Sequence, residues 1–387
     1  MSASSLPVLV LVTAATVAIA RPERGFAQAW ELGAILLAGF ICLRGIPAPQ
    51  PSLTSLTLFG AALWASIQLA AGWTASAERT AAAAAQFAAL GAIVLAADCR
   101  LRSHADREAC LRVAAVLGGV AAVVCLLQPY ATGISHDEFA GPFQNRNTYC
   151  AFVELLLPVA IWRADREPDR RWIWWTVAAL MAASAIATGS RAGSVLVSTE
   201  AAILLVFSRR QSRIVPALLI ALVVAGAGWE TLGWRIRLSD PIRPRAAMIS
   251  SALSMAGERP LTGFGAGAFI DAYPKFATYD SGRIVNHAHN DWAEFAAEGG
   301  IPFAILLAIP FLAALRRMKP QTSGTLFVLL HSLVDYPMQR AGMAVWVWLF
   351  VAVAASTRLK RPGARPAPAA RREPVVRSDR SLATAER

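Results

Sequence analysis

Charge is scarce in this chain. Asp, Glu, Lys and Arg make up 16% of its 387 residues, whereas a soluble domain carries about 25%. Set beside 56% apolar residues, that shortage excludes a disordered protein and argues against a soluble enzyme. Cysteine is also sparse. Cys42, Cys99, Cys110, Cys125 and Cys150 include no pair at C-x-x-C spacing, which removes zinc-ribbon and thioredoxin-type readings. None of them falls within 230–299, so no disulfide is expected in that stretch. There is no repeat of fixed period and no βαβ pattern. Gly263-Phe264-Gly265-Ala266-Gly267 therefore reads as a flexible turn and not as a nucleotide loop, which needs a preceding strand.

The mean hydropathy is +0.47, and the apolar residues come in blocks of roughly 15–21, close to the ~20 needed to cross a bilayer. The blocks predict about twelve transmembrane helices, at 6–20, 27–43, 53–72, 80–97, 111–130, 148–162, 172–187, 193–207, 214–229, 300–315, 323–336 and 342–357. The fold class is an all-α integral membrane protein. Its expected organisation is nine spans over 1–229, a long extracytoplasmic loop over 230–299, three spans over 300–357 and a basic, disordered tail over 358–387.

Basic residues set the orientation. Alternate loops carry Arg44; Arg100, Arg102 and Arg107; Arg163, Arg166, Arg170 and Arg171; Arg209, Arg210 and Arg213; and Arg316, Arg317 and Lys319, which is 14. The opposite short loops carry Arg21, Arg24, Arg79, Arg146, Arg191 and Arg340, which is six. Positively charged loops stay cytoplasmic, so both termini are expected inside and 230–299 outside. The net charge is +12, and nine basic against three acidic residues in 358–387 supply +6 of it. With no aromatic residue interleaved there, the excess is topogenic, and no nucleic acid is expected as a partner. Ala18-Ile19-Ala20 resembles a signal-peptidase site, but no Lys or Arg precedes it, so a retained first helix is preferred.

Polar residues gather at the outside ends of the spans. Arg191, in Thr188-Gly189-Ser190-Arg191-Ala192-Gly193, could be a turn with one snorkelling arginine or an anion site in which a guanidinium grips phosphate. Asn145, Arg146 and Asn147 precede the sixth span and read as caps or as sugar-binding groups. Arg235, Arg237, Arg243 and Arg245 run against the topological rule, which a phosphate-bearing partner explains better than a solvated face. Ala246 to Ala256 reads as a short amphipathic helix, and Asp291 to Glu298 as a helix leading into the tenth span.

His287-Ala288-His289-Asn290 is the sharpest signal, holding two of only five histidines. It could be a metal pair completed by Asp291 or Glu294. A general base is the better reading, because histidine titrates near neutral pH. Asn290 could simply cap the next helix. His331, Asp335 and Gln339 surround the outside end of the eleventh span, and Glu154 and Glu200 lie within spans, where ionisable groups are functional candidates.

Taken in order, these pieces resemble the O-antigen ligase and O-antigen polymerase superfamily of bacterial membrane glycosyltransferases. The matching stretches are the Asn-rich start of the sixth span, Ser190-Arg191-Ala192-Gly193, Arg245 before an apolar helix, Arg259-Pro260-Leu261-Thr262-Gly263-Phe264-Gly265-Ala266-Gly267-Ala268-Phe269, His287-Ala288-His289-Asn290, and His331-Ser332-Leu333-Val334-Asp335-Tyr336-Pro337. The resemblance runs from about 140 to 345. In the ligases a His-Asn pair is followed by nine residues and a glycine. Here 291–299 separate His289-Asn290 from Gly300, with Phe303 where the ligases carry Gly, Thr or Tyr.

The resemblance implies a GT-C-like architecture in the bacterial inner membrane with its active site facing the periplasm. It implies an undecaprenyl-diphosphate-linked glycan as donor and lipid A–core or a growing glycan as acceptor, transferred with inversion and without a metal or other cofactor. Arg191 and Arg245 would hold the diphosphate and His289 would act as catalytic base. Asn147, His287, Asn290 and Asp335 would bind substrate or support the site. An exopolysaccharide polymerase or a protein O-oligosaccharyltransferase of the same superfamily fits the same motifs. A proton-coupled twelve-helix transporter using Glu154, Glu200 or Asp335 is a more remote alternative, and such a protein would be expected to show internal repeats.

Overall fold

A computed structural model describes residues 33–35, 37, 50–101, 103–132, 141–143, 145–207, 242–279, 282 and 284–355. The first span, most of the second, the span at 214–229, Arg235, Arg237 and the basic tail lie outside the described residues. What is described is helical, with no strand. The helices are α1 (Leu53–Ala70), α2 (Ala77–Arg100), α3 (His104–Thr132), α4 (Arg146–Arg166), α5 (Arg171–Ala187), α6 (Arg191–Phe207), α7 (Ile242–Glu258), the short α8 (Phe269–Ala272), α9 (Asp291–Arg316), α10 (Gly324–His331) and α11 (Ala341–Ala355).

Among the described residues, four helices are long and apolar enough to cross a membrane: Leu53–Ala70, Ala77–Arg100, His104–Gln128 and Asp291–Arg316. Their outer faces carry apolar stripes at helical spacing. Val116, Val120, Val123 and Leu127 are exposed on α3, and Ile301, Ile305, Ile309 and Leu312 on α9. In water such stripes would be a liability. In lipid they are the expected surface, and the protein is a membrane protein.

Of the described helices, two are buried all round. On α4 every residue from Tyr149 to Ile161 is buried, and on α11 nearly every one is. A helix that is apolar on all sides belongs at the centre of a bundle. Phe152 and Trp346 meet edge to face between these two, with ring centroids 5.4 Å apart. α1 and α2 form an antiparallel pair. Ser52 caps α1 through Ser55 N–H, and Asp98 near the end of α2 accepts from Ser52 N–H at 3.1 Å and from Ser55 Oγ at 3.2 Å.

α9 is two helices joined at Gly300, whose φ of 78° and ψ of 171° only glycine adopts without strain. The kink frees backbone groups, and several find partners on other segments. Ile301 N–H donates to Pro260 O at 2.8 Å. Trp64 Nε1 donates to Gly299 O at 2.9 Å, and Gln68 Nε2 to Glu298 O at 2.8 Å. Phe264 N–H and Gly265 N–H donate to Ala297 O and Glu298 O. The glycine-rich segment, expected to be a flexible turn, is instead a strap laced to the kink. Gly265, at φ 101°, lies so close to Thr74 and Thr80 that no Cβ would fit.

Two further expectations change. The amphipathic helix at 246–256 is longer, spanning Ile242–Glu258. The eleventh span expected at 323–336 is an eight-residue helix, Gly324–His331, followed by a turn, too short to cross a bilayer.

Candidate active site at the α10 turn

The site is organised by the turn at 332–336 that ends α10. Its backbone carbonyls are taken in succession. Asp291 N–H donates to Ser332 O at 2.9 Å, Asn290 Nδ2 to Leu333 O at 2.9 Å, and Arg245 Nη1 to Val334 O at 3.2 Å. Trp292 Nε1 reaches Ser332 Oγ at 2.8 Å. α7, the histidine loop and the start of α9 are therefore moored to the same few residues. Asn290 also caps α9, accepting from Ala293 N–H at 3.0 Å.

His289 meets Asp335 in this frame. His289 Nδ1 lies 3.2 Å from Asp335 Oδ1, and the two side chains are 26% and 5% exposed. Asp335 Oδ1 also accepts from Tyr336 N–H at 3.0 Å. Burial pushes the Asp335 carboxyl up. The hydrogen bond from His289 outweighs that, together with the charges of His331, His289 and Arg245, and holds it below the ordinary carboxylate range. His289 is the one non-glycine residue among those described with positive φ, at 55°. That conformation costs roughly 1–2 kcal/mol and persists where the surroundings fix it, typically at functional sites.

His287 has a different environment. Its Nδ1 lies 2.7 Å from Glu294 Oε1, while Glu294 Oε2 accepts from Ala288 N–H at 2.7 Å. Its ring stacks on Tyr336 with centroids 4.3 Å apart, and His289 stands edge-on to the same ring at 4.9 Å. The two histidines are thus divided between two carboxylates. Asp291, named with Glu294 as a possible metal ligand, accepts from Met338 N–H at 3.0 Å. Among the described residues no three His, Cys, Asp or Glu side chains are grouped to hold a metal ion.

The remaining candidates lie at the helix starts. Asn145 caps α4 through Asn147 N–H at 2.8 Å, and Asn147 Oδ1 accepts from Ser190 Oγ at 2.8 Å. Arg191 follows as the first residue of α6, half-buried. Asn147 and Arg191 are therefore neighbours at the junction of α4 and α6. Arg245, His287, His289, Asn290 and Asp335 form the other group, at the α10 turn. α6 and α4 both pack on α10 and connect the two groups.

Two features were not apparent from the motifs. Tyr336 is the plate on which both histidines rest, and its only signal was its place after Asp335. Glu154 on α4 and His331 at the end of α10 form a wholly buried pair, Oε1 to Nδ1 at 2.8 Å. Nothing in the sequence joins residues 177 positions apart.

Residues 176–308 match the family model described as O-antigen ligase. The match takes in Arg191, Arg245, His287, His289 and Asn290, while Asn147 and Asp335 lie beyond its ends. No curated protein matches the chain.

Proposed function

With an O-antigen ligase domain over residues 176–308 as the premise, we propose that this membrane glycosyltransferase moves a glycan from undecaprenyl diphosphate to an acceptor hydroxyl at the periplasmic face of the inner membrane. The observation that carries the reading is the His289–Asp335 contact at 3.2 Å. A carboxylate on Nδ1 selects the tautomer with its proton there and leaves Nε2 as the proton acceptor.

In the proposed reaction the acceptor oxygen attacks the anomeric carbon and its proton passes to His289 Nε2. The bond from that carbon to the diphosphate oxygen breaks, and the electron pair leaves with the lipid diphosphate. One direct displacement inverts the anomeric centre. The leaving diphosphate is already stabilised and needs no general acid, but its charge must be held. Arg191 and Arg245 supply guanidiniums, which bind phosphate bidentately. Arg245 suits this role because its contact to Val334 O places it one residue from Asp335. His287 and Asn290 support the loop through Glu294 and Leu333, and Asn147 supports the Arg191 turn through Ser190.

Lipid A–core and a growing glycan are the two acceptors this reading allows first, with a protein hydroxyl as the third. Mass spectrometry of surface glycolipids in a deletion strain separates them. Loss of capped lipid A–core marks a ligase, accumulation of single repeats marks a polymerase, and loss of a protein-linked glycan marks an oligosaccharyltransferase. The chemistry itself is tested by reconstituting purified protein with a diphosphate-linked glycolipid. Transfer without a membrane gradient supports the enzyme, whereas vesicle-dependent movement of substrate without covalent transfer would replace it with the transporter.

A further inference from the structure

We propose that the buried Glu154–His331 pair is the positioning unit of the active site, fixing the turn that carries Asp335 and through it orienting His289. The proposal rests on the reading of His289 as the base. It begins from the length of α10. Eight residues make an intrinsically marginal helix, and yet the turn at its end holds three separate parts of the site. Something other than helix propensity must fix its position.

His331 is the last residue of α10. Its side chain and that of Glu154 are both 0% exposed. Nδ1 and Oε1 are 2.8 Å apart, and α4, which carries Glu154, is the helix buried on every side. The backbone of His331 continues directly into the site. Its carbonyl accepts from Val334 N–H at 3.0 Å and from Asp335 N–H at 2.9 Å. The chain of contacts therefore runs from Glu154 on the central helix, through the His331 side chain and backbone, to Asp335 and then to His289 Nδ1. Gly324 tightens the other end of α10, since a Cβ there would meet the backbone of Glu154 and Leu155. Both ends of the short helix are referred to the same turn of α4.

A buried ion pair or charged hydrogen bond is poor value as a source of stability but specifies one arrangement, because a displaced partner is left unsatisfied in an apolar medium. That is the property a positioning unit needs. A displacement of about 1 Å in a reacting group can cost about 100-fold in rate.

The test is a double-mutant cycle in the reconstituted transfer assay on the full chain. His331→Gln moves the amide away from the Nδ1 position and breaks the link to Glu154, while His331→Asn keeps a donor there. His331→Gln should lower kcat by at least ~10-fold with KM for the lipid-linked donor nearly unchanged, and His331→Asn should retain activity to within ~3-fold. In the His289→Ala background, His331→Gln should cost nothing further, because residues acting as one unit are not additive. The same fractional loss in both backgrounds, or equal losses for the Gln and Asn variants, overturns the proposal and leaves the base assignment standing. Wild-type turnover by His289→Ala overturns both.

Discussion

Two of the histidine–carboxylate pairs among the described residues, His289–Asp335 and His331–Glu154, have similar chemistry in opposite surroundings. His289–Asp335 sits at the edge of the bundle, with the imidazole 26% exposed and the contact 3.2 Å long. His331–Glu154 sits inside it, with both groups 0% exposed and the contact 2.8 Å long. The first is open to solvent, as the proposed proton transfer from an acceptor hydroxyl requires. The second is shut away from solvent on both sides of the contact, which suits it to hold position. On the proposed reading, the same pairing of imidazole with carboxylate serves as a reacting pair or as an anchor according to solvent access. The pairs are four residues apart along the turn after α10, so the buried one can discipline the exposed one.

Breaking the exposed pair should give the largest effect. His289→Ala should reduce transfer by 10²- to 10⁴-fold, the range a general base contributes, while donor lipid binding stays near its original strength. Next comes the diphosphate grip. Arg245→Ala and Arg191→Ala should each raise the donor Kd and depress turnover by about 10- to 100-fold, at ~1.5–3 kcal/mol for a charge-assisted hydrogen bond. Lysine should rescue poorly because it lacks the planar fork. Donor binding measured with labelled glycolipid checks both arginines. If both lysine variants bind as wild type, a point charge suffices and the bidentate argument fails.

The smaller effects sharpen the contrast. His287→Ala removes a ring stacked on Tyr336 and a partner of Glu294, and should cost roughly tenfold or less, by loosening the loop that carries His289. The Asp335 carboxyl is held below the ordinary carboxylate range. Its contribution to stability is therefore present above the unfolded carboxylate value of about 4 and is lost as the pH falls through the lowered native value. Asp335→Asn should accordingly be less stable than wild type at pH ~7, and the gap should close in acid. Thermal unfolding in detergent at the two pH values checks this. A gap that is constant with pH would mean that the carboxylate's charge is not what stabilises the turn.

Much of the helical frame could be read from the sequence, because hydrophobic blocks and caps are local. The expected spans at 172–187 and 193–207 correspond to α5 and α6, and Arg191, expected in the turn between them, is instead the first residue of α6. The helix expected from Asp291 is there, capped by Asn290. What could not be read was set by contacts between distant segments. Apolar composition made 323–336 look like one span. It stops at His331 because the following carbonyls and the Asp335 side chain are committed to the histidine loop and α7. Glycine at 263, 265 and 267 suggested freedom, yet Gly263 lets the strap meet the backbone of Glu298 and Gly299 at the α9 kink, while Gly265 and Gly267 let it close on Thr74, Thr80 and Arg79. For the site, the motif spacing singled out His289, and the structure adds its partner Asp335 and its strained φ. Glu154 appeared only as an ionisable group within a span, with no sign that its partner was His331.

The most direct test sets the two loop histidines against each other in one assay. Purified His289→Ala and His287→Ala proteins would be compared with wild type for transfer of glycan from a diphosphate-linked glycolipid in single-turnover conditions, with and without a chelator. The account predicts a loss of at least ~100-fold for His289→Ala, a much smaller loss for His287→Ala, and no effect of chelation. Near-normal turnover by His289→Ala, or abolition of wild-type activity by the chelator, would contradict it and return the histidine pair to the role of a metal site.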